Sequence, residues 1–289
     1  MTGPAATVRP VEERIDPLTG RAVVIVGARQ SRPNLPSSGC PFCPGGLEAP
    51  EPYVTRWFPN RWPPLPGGRA EIVLYTPAHD ATFADLGVDG AAAVVHLWAD
   101  RTEALGARDD VGYVLVFENR GPAVGATIAH PHGQIYGFAA APEAARVELA
   151  RPDPLGDPVP DELLVATHGS WRAWCPAASA HPYEMIVAPL DPLPDLPSAR
   201  ASARDLGAAL VDVLGRLDRH FDAPAPYMMW WHQRPTDGGA WPSARTHLHI
   251  APIWRAAGVP RFIAAGELGS GVHFNPVVPE VAAEELRRA

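Results

Sequence analysis

The order of apolar runs in this 289-residue chain is written twice. Glu71-Ile72-Val73-Leu74-Tyr75 is strand-like, and Glu184-Met185-Ile186-Val187-Ala188 echoes it. A proline-containing turn and a helical pattern follow each. The first helix is predicted over 88–107 and the second over 201–220, where Leu206, Leu210, Val213, Leu214 and Leu217 share one face. Tyr113-Val114-Leu115-Val116-Phe117 and Tyr227-Met228-Met229-Trp230-Trp231 come next, both strand-like. Finally His130-Pro131-His132 is answered by His247-Leu248-His249. Strand, helix, strand and His-x-His strand, given twice, predict an α+β fold of two duplicated halves. The break falls in the proline-rich stretch 152–160. Residues 1–150 form one half and 151–289 the other, and we expect them to fold together as one composite domain.

The reactive residues concentrate in 119–134. A glycine-rich loop leads into His130-Pro131-His132-Gly133-Gln134. A neutral imidazole is a good nucleophile near pH 7, and attack on phosphorus needs little else once the phosphate is held. Backbone N–H groups of a glycine-rich loop can hold it. A side-chain amide two residues after the second histidine can donate to a phosphoryl oxygen as charge builds there. A second chemical signal is Cys40-Pro41-Phe42-Cys43, followed by proline and two glycines. Two thiolates at this spacing can bind one tetrahedral Zn²⁺ if two further ligands are found. A thioredoxin-like redox pair has the same spacing, but the flanking prolines and glycines favour a metal knuckle.

Composition narrows the partners. Net charge is −8 and no basic cluster stands out, so nucleic acid is not expected. The 24 basic residues are all arginine, which carries no functional reading. No apolar run approaches the roughly 18 residues of a membrane span, and the first residues lack a basic region followed by an apolar stretch, so secretion is not expected. With an odd cysteine count of three, a reducing cytoplasm is expected.

The stretch from Asn119 to Gln134 resembles the active-site signature of galactose-1-phosphate uridylyltransferases, a branch of the histidine-triad superfamily. The resemblance implies two histidine-triad-like halves sharing one antiparallel sheet, with helices packed on it. It implies that His132 becomes covalently uridylylated, that Gln134 contacts the transferred phosphoryl group, and that Asn119, Gly125 and Thr127 help bind the substrate. It also implies a structural Zn²⁺ on Cys40, Cys43, His79 and His130. A second metal, zinc or iron, would sit on Glu148, His232, His247 and His249. Arg29 and Arg32 match arginines near the phosphates, and Asn60 the uridine contact. Arg261, Phe262 and Glu267 match a segment closing over the sugar, with Glu267 expected to accept from sugar hydroxyls. There the chain departs from the family: Arg261 replaces a lysine, Gly266 a tyrosine, and a glutamine gives way near His273.

The implied reaction is nucleotidyl transfer between UDP-hexose and hexose 1-phosphate, in a homodimer. A related phosphorylase or adenylyltransferase using the same histidine, and a non-enzymatic zinc-stabilised nucleotide-binding protein, are the alternative readings.

Overall fold

A computed structural model describes residues 11–27, 29, 39–152 and 155–289. Two short strands, β1 (Glu12–Ile15) and β2 (Ala22–Ile25), pair as an isolated hairpin. The main sheet is built from β3 (Arg56–Pro59), β4 (Ala70–Leu74), β5 (Tyr113–Arg120), β6 (His132–Phe138), β7 (Leu164–His168), β8 (Trp171–Trp174), β9 (Met185–Pro189), β10 (Tyr227–His232) and β11 (His247–Pro252). Among the described residues these nine strands run in the order β3-β4-β6-β5-β10-β11-β9-β8-β7. Every neighbouring pair is antiparallel. A small hairpin, β12 (Trp254–Ala256) with β13 (Val259–Pro260), follows. The helices are α1 (Gly87–Gly106), α2 (Glu143–Leu149), α3 (Ala203–Phe221), α4 (Ala265–Ser270) and α5 (Pro279–Arg288).

The expected α+β class therefore holds: one antiparallel sheet carries both halves, and helices cover it. The halves meet where β5 pairs with β10, Phe117 opposite Trp230 and Arg120 opposite Tyr227. Side chains alternate along each strand, so each half has two faces. Val73, Tyr75, Val114, Val116 and Ile135 of the first half, with Val187, Met229, Trp231, Leu248 and Ile250 of the second, belong to the main core under α1 and α3. His132 and Gln134, and likewise His247 and His249, lie on the opposite face.

α3 is held by the stripe that sequence spacing predicted. Leu206, Leu210, Val213, Leu214 and Leu217 are all fully buried, each burial stabilising by about 1.5–3 kcal/mol. α3 ends where Asp222 adopts a left-handed conformation, φ 48°, which the short polar side chain tolerates better than most. Among the described residues no helix is long and apolar enough to cross a membrane.

One expectation needs correction. Matching Tyr113 to Tyr227 would carry side chains to the wrong face, because β5 turns its odd-numbered residues 115, 117 and 119 away from the core while β10 turns its even-numbered ones away. A one-residue slip inverts every position of a strand. His132 and His247 are the true counterparts: each opens its strand, and each donates from Nδ1 to the carbonyl two residues earlier, at 2.8 Å in both cases. With that anchor the registers make Gln134 answer His249, Phe117 answer Trp230 and Leu74 answer Ala188. His130-Pro131-His132 and His247-Leu248-His249 are thus offset by two residues.

The crossing of α1 and α3 turns on Gly207. A Cβ there would lie 2.9 Å from the Ala92 nitrogen and 3.0 Å from the Val88 carbonyl oxygen. Gly207→Val should lower unfolding stability by about 2 kcal/mol or more through overpacking, measured by urea denaturation. An unchanged midpoint would show that the helices separate at little cost.

Candidate active site and metal centres

The knuckle 40–46 closes on itself. The Gly46 N–H donates to the Cys43 carbonyl at 2.8 Å. A Cβ on Gly46 would come within 2.6–2.8 Å of the carbonyl oxygens of Cys40, Pro41 and Cys43, so only glycine fits where three carbonyls converge. This fold aims both thiols at His79 and His130. The four ligand atoms lie within 4.8 Å of one another. Cys43 Sγ is 3.5 Å from His79 Nδ1 and 3.6 Å from His130 Nδ1. Zinc bonds of about 2.3 Å to sulfur and 2.0–2.1 Å to nitrogen at tetrahedral angles require an S···N edge of about 3.6 Å. The donor set and its spacing fit a tetrahedral ion.

Protonation agrees with that fit. His130 donates from Nε2 to the Thr76 carbonyl at 2.7 Å, so Nδ1 carries the lone pair. Burial holds this imidazole below its ordinary pKa, which keeps it neutral. Burial first, and then the neighbouring Cys40, raise the Cys43 thiol. Two thiolates side by side therefore call for a cation. Tyr53 braces the group, its hydroxyl 2.9 Å from His130 Nε2, 2.7 Å from the Phe42 carbonyl oxygen and 3.0 Å from that of Thr76.

One proline past His130, the His132 ring is fixed by its Nδ1–H bond to the His130 carbonyl at 2.8 Å. That leaves the lone pair on Nε2, the state a nucleophilic imidazole needs. Phe42, from inside the knuckle, packs edge-on against His132 with ring centroids 5.1 Å apart. Gln134 shares the strand face with His132. Its Oε1 accepts from the Tyr136 hydroxyl at 3.0 Å, which orients the amide so that its NH₂ group is the end left to donate to a ligand. Asn119 lies on the same face of the adjacent strand β5, opposite Met228 on its other side. The loop between β5 and β6 turns through Gly121 (φ 91°) and Gly125 (φ 85°), conformations that favour glycine. A cleft of about 530 Å³ opens beside it, lined by Gly39, Cys40, Cys43, His79, Thr127, Ile128 and Ala129.

The second group joins α2 to the other half of the sheet. Glu148 Oε2 lies 2.5 Å from His232 Nδ1 and 3.1 Å from His247 Nε2, and its Oε1 lies 3.5 Å from His249 Nε2. Burial alone would raise the Glu148 carboxyl, but hydrogen bonds from the three histidines hold it well below the usual carboxylate range. Burial depresses the His249 imidazole, and Trp230 stacks on it at 4.9 Å. By the strand registers, His232, His247 and His249 stand where the first half has Asn119, His132 and Gln134. The second group and the reactive residues occupy one backbone frame, used twice.

The remaining expected residues lie further out. Arg29 follows β2, its N–H on the Val26 carbonyl at 3.0 Å, and Arg32 lies outside the described residues. Asn60 follows β3, and its Oδ1 accepts from the Trp62 N–H at 2.9 Å. Arg261, Phe262 and Glu267 sit in the C-terminal segment. Glu267 is turned inward: it pairs with Arg261 and accepts from the backbone N–H groups of Phe274 at 2.9 Å and Ala264 at 3.2 Å. The backbone bond from Phe274 is the chief cause that keeps its carboxyl below the ordinary value. Its first partners are therefore within its own segment, while Phe262 is 77% exposed. Sequence reasoning did not single out Phe42, Tyr53, Tyr136 or Trp230. Only Tyr136 had a signal, the two-residue spacing from Gln134.

Comparison with known proteins bears on this geometry. Residues 64–142 match the N-terminal domain of galactose-1-phosphate uridyl transferase, and residues 159–289 its C-terminal domain. A galactose-1-phosphate uridylyltransferase of Thermotoga maritima is 32% identical over 96% of this chain and 98% of its own. One from Streptomyces lividans is 37% identical over 97% of this chain and 88% of its own. The chain belongs to the galactose-1-phosphate uridyl transferase family. A solved uridylyltransferase superimposes with a TM-score of 0.87 at 26% identity, covering 96% of this chain and 97% of that one. An ADP-glucose phosphorylase of Arabidopsis thaliana, solved with ADP-glucose, shares the fold at a TM-score of 0.77 and 22% identity, over 97% of this chain and 99% of that one. The His132 strand and the three histidines of the second group belong to a single sheet, and the first group's ligands lie in loops beside it.

The two groups should behave independently. Cys43→Ser is expected to release one equivalent of metal and keep the other, and His247→Ala to do the converse, read by elemental analysis of the purified proteins. Retention of both equivalents by either variant would contradict these ligand assignments.

Proposed function

We propose that the chain transfers a uridylyl group between a UDP-hexose and a hexose 1-phosphate through a covalent bond at His132 Nε2. The observation that carries the reading is the Nδ1–H bond of His132 to the His130 carbonyl. It commits one ring nitrogen to donation and leaves the other the electron pair for attack. In the first half-reaction Nε2 forms a bond to the α-phosphorus of the UDP-hexose. The bond from that phosphorus to the bridging oxygen breaks, and hexose 1-phosphate leaves with the electron pair. In the second, a phosphate oxygen of another hexose 1-phosphate attacks the same phosphorus, and the electron pair of the N–P bond returns to Nε2. No external proton is required in either step.

The Gln134 amide, oriented by Tyr136, and the backbone of the loop 121–127 stabilise charge on the transferring phosphoryl oxygens. Asn119, Gly125 and Thr127 position the phosphates. Arg29 and Arg32 supply guanidinium groups to them, and Asn60 contacts the uridine. Arg261, Phe262 and Glu267 border the sugar, with Glu267 acting chiefly as the tie of its segment.

Zn²⁺ suits Cys40, Cys43, His79 and His130, because four protein donors complete a tetrahedron and a structural ion of this kind stiffens the loop that bears the nucleophile. Glu148, His232, His247 and His249 suit zinc or iron. We assign residues 1–150 and 151–289 to two halves of one composite domain, supported by the β5–β10 pairing. Three free cysteines support a reducing cytoplasmic setting. The exposed apolar side chains of Phe262, Leu268 and Phe274 support pairing of two copies.

Intact-protein mass spectrometry after mixing with UDP-glucose, UDP-galactose or ADP-glucose, without acceptor, tests the proposal. A mass gain of one uridylyl group with a UDP-sugar, absent in His132→Ala, is expected. A gain only with ADP-glucose would move the reaction to adenylyl transfer, and an undiminished adduct in His132→Ala would overturn the assignment.

A further inference from the structure

Behind the reactive strand, on its helix-covered face, lies a set of buried polar groups that the reaction above does not use. Gly133 separates His132 from Gln134. A Cβ on it would lie 2.1 Å from the Tyr75 hydroxyl oxygen and 3.0 Å from both the Tyr75 ζ-carbon and the Phe117 carbonyl oxygen. The Tyr75 hydroxyl is therefore seated against the backbone of residue 133. Glu118, the residue before Asn119, points into the same pocket and is only 5% exposed. Its Oε1 accepts from the Tyr227 hydroxyl at 2.9 Å. Its Oε2 and the Tyr75 hydroxyl are both sealed from water without a hydrogen bond of ordinary geometry.

Such groups are costly. A buried polar atom without a full partner loses about 1–3 kcal/mol, and apolar residues of similar volume would pack there at no such cost. The protein itself supplies the comparison. In the second half the positions answering Gly133, Glu118 and Tyr75 are Leu248, Trp231 and Pro189, none of them ionisable; Leu248 and Trp231 belong to the core under the same helical layer, where the Trp231 indole N–H is itself buried without a partner. At these positions the frame does not need a carboxyl or a phenol. Only the half that carries His132 has them.

We propose that Tyr75 and Glu118 are positioning residues for nucleotidyl transfer, holding the 132–134 segment and Asn119 from behind so that His132, Gln134 and Asn119 converge on one phosphoryl group. The inference rests on the transfer reaction proposed above. Tyr75 acts as a stop against the backbone of Gly133, and Glu118, tied to Tyr227, fixes the strand segment that carries Asn119. Burial pushes the Glu118 carboxyl up to about 7, against the pull of Tyr227, Arg120 and Tyr75. Near neutral pH a good share of it is thus protonated, and its O–H is a donor the Tyr75 oxygen can accept.

Tyr75→Phe deletes one oxygen and keeps the ring, and Glu118→Gln keeps the shape. For each, single-turnover adduct formation would be followed over a range of UDP-glucose concentrations, with melting temperature and metal content as controls for folding. On the same proteins without nucleotide, the ring-nitrogen NMR signals of His132, identified by their loss in His132→Ala, report its tautomer directly. Tyr75→Phe should cut the maximal rate at least about tenfold, with KM changed by less than about twofold, an undiminished melting temperature, and a His132 spectrum shifted from the single Nδ1–H form. Wild-type rates and an unchanged His132 spectrum in both variants would overturn the proposal. Should the unmodified protein form no adduct, the transfer reading fails, and the His132 spectra alone decide: a shift in Tyr75→Phe supports positioning, and no shift overturns it.

Discussion

The pairing of β5 with β10 is the contact on which the rest depends. Each half alone would end in an open edge, a row of unpaired N–H and C=O groups beside a strand rich in aromatic residues. Joining Phe117–Arg120 to Tyr227–Trp230 closes both edges at once and makes one sheet of nine strands. It also brings α1 against α3, so that one apolar layer serves both halves. The opposite face is left for chemistry. Everything reactive in the first half, and every ligand of the second group that lies on a strand, stands on that face.

Within this frame one device recurs. A histidine at the head of a strand donates to the carbonyl two residues back, and its other nitrogen is thereby set as an electron-pair donor. At His132 that nitrogen suits attack on phosphorus. At His247 the same lock points Nε2 at Glu148 and His249, 3.1 Å from each, and suits a metal. The difference comes from neighbours rather than backbone. The first half has Gly133, Gln134 and Asn119 around its histidine, and the second has Leu248, His249 and His232. The knuckle adds a further asymmetry, because Phe42 packs on His132 while its flanking cysteines face His79 and His130.

Much of the fold was legible because its signals are local. The helical stripe of α3 and the order of elements in the two halves follow from spacing along the chain. The register between halves was not legible. All five residues of β4 are buried, as are five of six in β11, so the two-residue alternation that normally marks a strand face is erased. The grouping of Cys40 and Cys43 with His79, and of Glu148 with three histidines, was readable only through a family resemblance, since their partners lie far apart in sequence. Tyr53 and Phe42 had no signal at all: their roles come from where a turn places a hydroxyl or a ring. Glu267 illustrates the converse, a residue picked for its type whose carboxylate the local backbone takes first.

The central claim is that two displacements occur in succession at one phosphorus, with His132 as the intermediate partner. Each in-line displacement inverts that centre, so the stereochemical outcome counts them. A UDP-glucose carrying sulfur in place of one non-bridging α-phosphoryl oxygen, in a single known configuration, would be converted with galactose 1-phosphate and the product's configuration read by phosphorus NMR. The account predicts net retention. Net inversion would mean a single direct transfer between the two sugar phosphates, and His132 would then have no covalent role.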